Sequence, residues 1–154
     1  MRQPSRARGR HAVRGLVPRR HLILGILDFR FWLLDWELHE ENVNEQMFKD
    51  RTRKFALQGI QMVEKLPHGR TTEVIGRQLL RCSTSVGANY RAACRGKSTA
   101  DVIAKLAIVE EEADESIYWM ELLVDSGVLP VDRVAALKKE AGELIAMTVA
   151  SIKT

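Results

Sequence analysis

The sequence is short of what a disulfide scaffold, a sheet-rich fold or a membrane span would need. Two cysteines in 154 residues cannot staple a small secreted domain, so a reducing cytoplasm is the expected setting. Aromatic residues make up only 6% of the chain, and ten Gly and four Pro leave few interruptions. Ala, Leu, Glu, Lys and Arg fill the space between them, a composition that favours helix over strand. No apolar run approaches the about 20 residues of a spanning helix, so no membrane is expected as a partner.

Chemistry-bearing patterns are equally scarce. His11, His21, His39 and His68 are scattered, and none has a helical partner that would complete a metal site. There is no Gly-rich phosphate loop, no Ser-x-x-Lys and no Gly-x-Ser-x-Gly. A di-iron bundle needs Glu-x-x-His pairs. Glu64 and His68 have the wrong spacing, with the helix breaker Pro67 between them. Cys82 and Cys94 lie about 18 Å apart along one helix, too far for a bridge, and read as small core or interface residues. The expectation is a non-enzyme with no cofactor and no metal.

What the chain does have is positive charge, placed unevenly. Formal net charge is +4 and the pI is about 9.3. Residues 1–20 hold seven Arg and no acid. The following stretch, Leu22 to Trp36, is apolar, yet Asp28, Arg30 and Asp35 interrupt it and no small-residue cleavage site follows. Residues 1–41 therefore admit three readings. They form a basic arm for nucleic acid, or an amphipathic helix carrying Leu22, Ile26, Phe29 and Leu33, or a leader foreign to the native protein. On the last reading Met47 or Val43 is the true start. From Asn42 onward sixteen Lys and Arg face fifteen Asp and Glu, a nearly neutral domain over 42–154.

Four amphipathic segments follow. The first runs from about Glu45 to Leu66, with Phe48, Phe55, Ile60, Met62 and Val63 apolar, and ends at Pro67-His68-Gly69. The second starts at Thr71 or Thr72 and ends about Arg95, before Gly96. The third starts behind Ser98 or Thr99 and stops at Ser126-Gly127, and the fourth runs from near Pro130 to about Ile152. Short turns between such helices predict an all-α, antiparallel up-and-down four-helix bundle. In the third helix Val102, Leu106, Val109, Ala113, Ser116, Met120 and Leu123 alternate three and four apart, the seam of a bundle. Glu110 sits at the edge of that stripe and is expected either in a solvated acidic face or paired with an Arg from a neighbouring helix or subunit. Tyr118 and Trp119 read as core or interface aromatics.

The second helix carries the functional expectation. At about 100° per residue, Arg70, Arg77, Arg81, Arg91 and Arg95 share an arc of about 80° over a length of about 37 Å. Ile75, Leu79, Cys82, Val86, Tyr90 and Ala93 lie opposite, and Gly76, Ser83 and Gly87 make a third strip where another helix could approach closely. Arg suits forked contacts with phosphate oxygens. Solvated salt bridges to acids of the third helix are the competing reading. Asn89 falls at the border of the core and reads as a hydrogen-bonding residue that sets helix register.

Gly76-Arg77-Gln78-Leu79-Leu80-Arg81, Ser85-Val86-Gly87-Ala88-Asn89-Tyr90-Arg91-Ala92, Gly96-Lys97-Ser98 and Ile108 to Ser116 resemble the four-helix-bundle proteins encoded in ribosomal-RNA intervening sequences. That family includes relatives of the accessory variability determinant protein of diversity-generating retroelements. The resemblance covers about Asn42 to Thr154. It implies a homo-oligomer, commonly a homopentameric ring, and in the retroelement branch a basic surface that works with a reverse transcriptase and its template RNA. Many members carry Glu-Gly where this chain has Ala92-Ala93, so the role of that acid elsewhere is not filled here.

Two functions are therefore expected to compete. One is a nucleic-acid-binding bundle, RNA-leaning, that grips phosphates through Arg70, Arg77, Arg81, Arg91, Arg95 and Lys97. The other is a structural oligomer in which those arginines meet acids of the third helix across subunits.

Overall fold

The computed structural model describes residues 44–153. The three readings of residues 1–41 lie outside them. The described residues form four helices and no strand: α1 (residues 44–63), α2 (Arg70–Ala93), α3 (Thr99–Asp125) and α4 (Val131–Lys153). Each helix runs antiparallel to the one before it. Phe48 of α1 stacks on Tyr90 of α2, while Val63 meets Gly76 at the other end. Arg81 of α2 meets Glu112 of α3, and Lys138 of α4 meets Glu121 of α3. Arg51 of α1 reaches Glu140 of α4, which closes the ring of four as an up-and-down bundle.

The termini follow local chemistry. The Ser98 hydroxyl accepts from the Asp101 amide at 3.2 Å, and the Asp101 carboxylate accepts from the Lys97 amide at 3.0 Å, a reciprocal cap on α3. Ser126-Gly127 ends α3 with Gly127 at φ 73°, a left-handed conformation that glycine adopts without a Cβ clash. α2 stops at Ala93, two residues short of the expected Arg95. The Gly96 amide closes on the Ala93 carbonyl, and a Cβ at Gly96 would stand 2.4 Å from Val102.

The core is the seam read from the sequence. Leu106, Val109, Ala113, Ser116, Met120 and Leu123 of α3 are buried, as are Ile75, Leu79, Cys82, Val86 and Ala93 of α2. α4 adds Val134, Leu137, Ala141 and Leu144. On α1 the dry positions are Phe48, Thr52, Phe55 and Gly59, whereas Ile60, Met62, Val63 and Leu66 are only partly covered. Trp119 packs at the core margin, but Tyr118 is exposed.

α1 and α2 approach through small residues. A Cβ at Gly59 would lie 2.3 Å from the Ser83 hydroxyl oxygen, and one at Gly87 would touch the Thr52 backbone at 3.5 Å. The third strip of α2 thus seats α1, which fixes the rotation of α2 about its own axis. Arg51 anchors the opposite side of α1. Its Nε and Nη2 donate to Glu140 at 2.9 and 3.0 Å, Nη2 also donates to Glu143 at 2.5 Å, and Nη1 donates to the Met147 sulfur at 3.1 Å.

Two outcomes test this packing. Gly59→Ala should destabilise the bundle by about 1–3 kcal/mol in urea titration, because Ser83 has no space to yield, and Ser83→Gly should suppress most of that loss in a double-mutant cycle. Arg51→Ala should cost about 1–2 kcal/mol in the same assay, since it strips two carboxylates of α4 of their donor.

Candidate nucleic-acid interface

α2 is one unbroken helix with its core strip dry, its small strip on α1 and its arginine strip in water. Arg70, Arg77, Arg81 and Arg91 on the helix, and Arg95 and Lys97 on the turn that follows, are all exposed. The reciprocal cap at Ser98 and Asp101 holds the Lys97 backbone, so this turn is anchored next to the helix end.

The six cations divide into two kinds. Arg81 is engaged. Its Nη1 donates to both Glu112 carboxylate oxygens at 2.9 and 3.0 Å, and its Nη2 donates to Glu115 at 2.5 Å. The same Nη2 donates to the Cys82 sulfur at 3.1 Å, and Nε reaches Gln78 at 3.1 Å. Arg70, Arg77, Arg91, Arg95 and Lys97 form no ion pair with another described residue. The reading in which acids of α3 neutralise the stripe therefore holds within the chain for Arg81. The reason is the distribution of charge: α3 carries eight acids against Lys105 alone, and Arg81 is the arginine on the α3 side of the arc.

This bridge sets the local titration behaviour. The hydrogen bond from Arg81, reinforced by the Trp119 indole N–H at 3.0 Å, holds the Glu115 carboxyl below the usual carboxylate range. The Arg81 guanidinium is raised in turn, first by Glu115. Burial pushes the Cys82 thiol up to about 12. Ligand atoms of Cys82, Glu112 and Glu115 lie within 4.8 Å of one another, a spacing a metal ion accepts. The Arg81 guanidinium donates to all three and supplies the positive charge there. Cys94 is half-buried and its thiol is likewise raised by burial.

The two residues expected to be structural are placed differently. Asn89 donates through Nδ2 to the Ser85 carbonyl at 3.0 Å and the Ser85 hydroxyl at 2.9 Å. Both bonds stay inside α2. Glu110 is half-buried beside Ala107 and Ile145, on the α4 side of α3, and has no ion pair with a described residue. Glu112 and Glu115 are the acids that face α2. Acids of the third helix are expected as partners of the arginines, but the heptad seam locates the core and not the flank on which a neighbour's guanidinium will lie, so it does not single out these two.

The bridge also has a pH signature. Glu115 binds its proton more weakly folded than unfolded, so its contribution is full above the unfolded carboxylate pKa and is lost as pH falls through the folded value. Thermal stability should therefore drop on acidification below about pH 4.5, and Glu115→Gln should flatten that part of the pH profile in scanning calorimetry.

Residues 44–150 match the family described as 23S rRNA-intervening sequence protein. A solved structure of a protein of unknown function from the S23 ribosomal protein family of Bacteroides thetaiotaomicron is 33% identical, with a TM-score of 0.66. That match covers 70% of this chain and 99% of the other. Among curated proteins none matches. The family match names the intervening-sequence side of the resemblance, the solved structure names the S23 ribosomal protein family, and neither names a retroelement protein. No helix among the described residues is long and apolar enough to cross a membrane. A dry heptad seam, a small-residue contact between the first two helices and a match over most of the chain agree, and the chain belongs to the 23S rRNA-intervening sequence protein family.

Proposed function

We propose that this protein is a non-catalytic bundle that binds the backbone of nucleic acid, RNA in preference, through the exposed cations of α2 and the turn behind it. The supporting observation is that Arg70, Arg77, Arg91, Arg95 and Lys97 stand in water on one side of the bundle without an acidic partner among the described residues. The acids are gathered on the neighbouring α3, so a polyanion is drawn to α2 and repelled from α3. Arg presents a planar fork to phosphate oxygens and stays charged at every relevant pH. No aromatic side chain interleaves with these cations, so the contact tracks phosphates and does not stack bases. Arg81 acts at a remove: it ties α2 to α3 and keeps the rod in place. Assembly as a homo-oligomer, a homopentamer by the resemblance, multiplies such weak contacts by raising effective concentration.

A second reading has its own support on α3. Ile103, Ile108 and Tyr118 are exposed on that helix, beside the exposed acids Glu111 and Asp114. A mixed apolar and acidic face complements the arginine face of another copy, and a structural oligomer would bury both.

The two readings separate in one experiment. Replacing Arg77 and Arg91 with Glu should abolish retention of single-stranded RNA at low salt while leaving the circular dichroism melt unchanged. Arg81 is the wrong probe, because its replacement breaks the α2–α3 bridge. For the wild type, log affinity should fall against log salt with a slope of about −0.7 per phosphate contacted. Retention that survives the double substitution, with an oligomer that falls apart in high salt, would favour the structural reading.

A further inference from the structure

The first half of α3 has no polar side. Between Val102 and Val109 the one charged residue is Lys105, and it pairs with Asp101 on the same helix. Leu106 and Val109 turn into the core, yet Ile103 and Ile108 are 40% and 39% exposed, and Ala104 is exposed with them. A helix that is apolar all round is ordinarily covered all round. Further along the same outer strip stand Glu111 and Asp114, exposed and without an ion pair to a described residue.

The outer strip of α4 is the complement in shape and charge. Gly142 sits mid-helix and exposed, and a Cβ there would meet nothing within 4 Å. Glycine inside a helix is destabilising relative to alanine, and nothing in the single chain uses its missing side chain. At about 100° per residue, Ala135, Lys139 and Ala146 lie within about 60° of it, and all three are exposed. The Lys139 side chain is 80% exposed, and its ion pair is a loose one to Glu143 of its own helix at 3.9 Å.

We propose that a second copy of this chain docks its α4 antiparallel on the outer strip of α3. The assignment rests on the homo-oligomer proposed above and names its surface. The spacings match in reverse: Ala104, Ile108 and Glu111 follow one another at four and three residues, and so do Ala146, Gly142 and Lys139 read backwards. In that register Ala104 meets Ala146 of the second copy, and Ile108 enters the notch at its Gly142. Glu111 falls beside the second copy's Lys139, so an apolar knob, a hole and an opposite-charge pair share one contact. α3 and α4 are antiparallel within the bundle, so copies related by rotation about an axis along the bundle meet in this orientation. The contact covers the apolar half of α3 and leaves the arginines of α2 in water.

The test follows the mass of the full chain by sedimentation equilibrium across a dilution series. The wild type should self-associate. Gly142→Leu fills the notch from an open position and puts a better helix former there, so its thermal melt should hold. Its association should weaken by about tenfold or more, because the hole for Ile108 is gone. Glu111→Lys and Lys139→Glu should each weaken association, and the two together should restore it. A wild type that stays monomeric, or a Gly142→Leu variant that associates like the wild type, would overturn this surface. Loss of association on replacing Arg77 and Arg91 with Glu, with Gly142→Leu unaffected, would overturn it in favour of arginine-to-α3 pairing between copies. A monomeric wild type that still retains RNA through Arg77 and Arg91 would sink the assembly and leave the phosphate-binding reading standing.

Discussion

The arrangement depends on how closely α1 and α2 approach. Gly59 faces Ser83, Gly87 faces the Thr52 backbone and Gly76 faces Val63 and Leu66, so neither helix can rotate without driving a side chain into backbone or a neighbour. Close packing makes such contacts stiff, because interiors have little free volume to absorb a displaced atom. Once α1 is seated on the small strip of α2, the other two strips have no choice. Ile75, Leu79 and Val86 turn into the core, and the arginines turn to water. The electrostatic surface is thus a consequence of a steric contact about a third of a turn away.

Charge then sorts itself between neighbouring helices. The basic strip of α2 adjoins the acid-rich α3, and the guanidinium nearest the boundary is spent on joining them. Arg81 contacts Glu112, Glu115 and the Cys82 sulfur at once, which makes it part of the scaffold while the arginines a turn or more away remain available. The same logic operates on the far side of α1, where Arg51 bridges to Glu140 and Glu143. In both cases one planar donor serves two carboxylates a turn apart, a geometry that Arg satisfies and Lys does not. The cations that could meet a partner are those left over after these internal demands.

The acidic crowd in the middle of α3 is a useful case of where periodicity stops. Glu110 lies nearest the seam by angle, yet it faces α4 and Ile145, and the bridging falls to Glu112 and Glu115. A helical wheel orders residues around one axis. It carries no information about which flank another helix occupies, or at what height its long side chains arrive. Asn89 is expected to be a hydrogen-bonded border residue, and its position on the wheel does not say with what it bonds: both of its hydrogen bonds go to Ser85, one turn back on the same helix.

The sequence by itself determined the helices, their order and their dry faces, since these follow from local propensity, capping residues and a 3.6-residue apolar repeat. The seam of α3, the stop at Gly127 and the three strips of α2 were legible for that reason. Tertiary structure alone decided which cations are consumed and which stay free, because Arg51 and Arg81 find their acids 89 and 31 positions away. It also decided that Thr52 and Gly59 would be dry while Ile60 stayed partly covered, since burial on α1 is set by the close approach of α2 and not by side-chain polarity. Such long-range pairs depend on the rotation and height of neighbouring rods, quantities that no local pattern encodes.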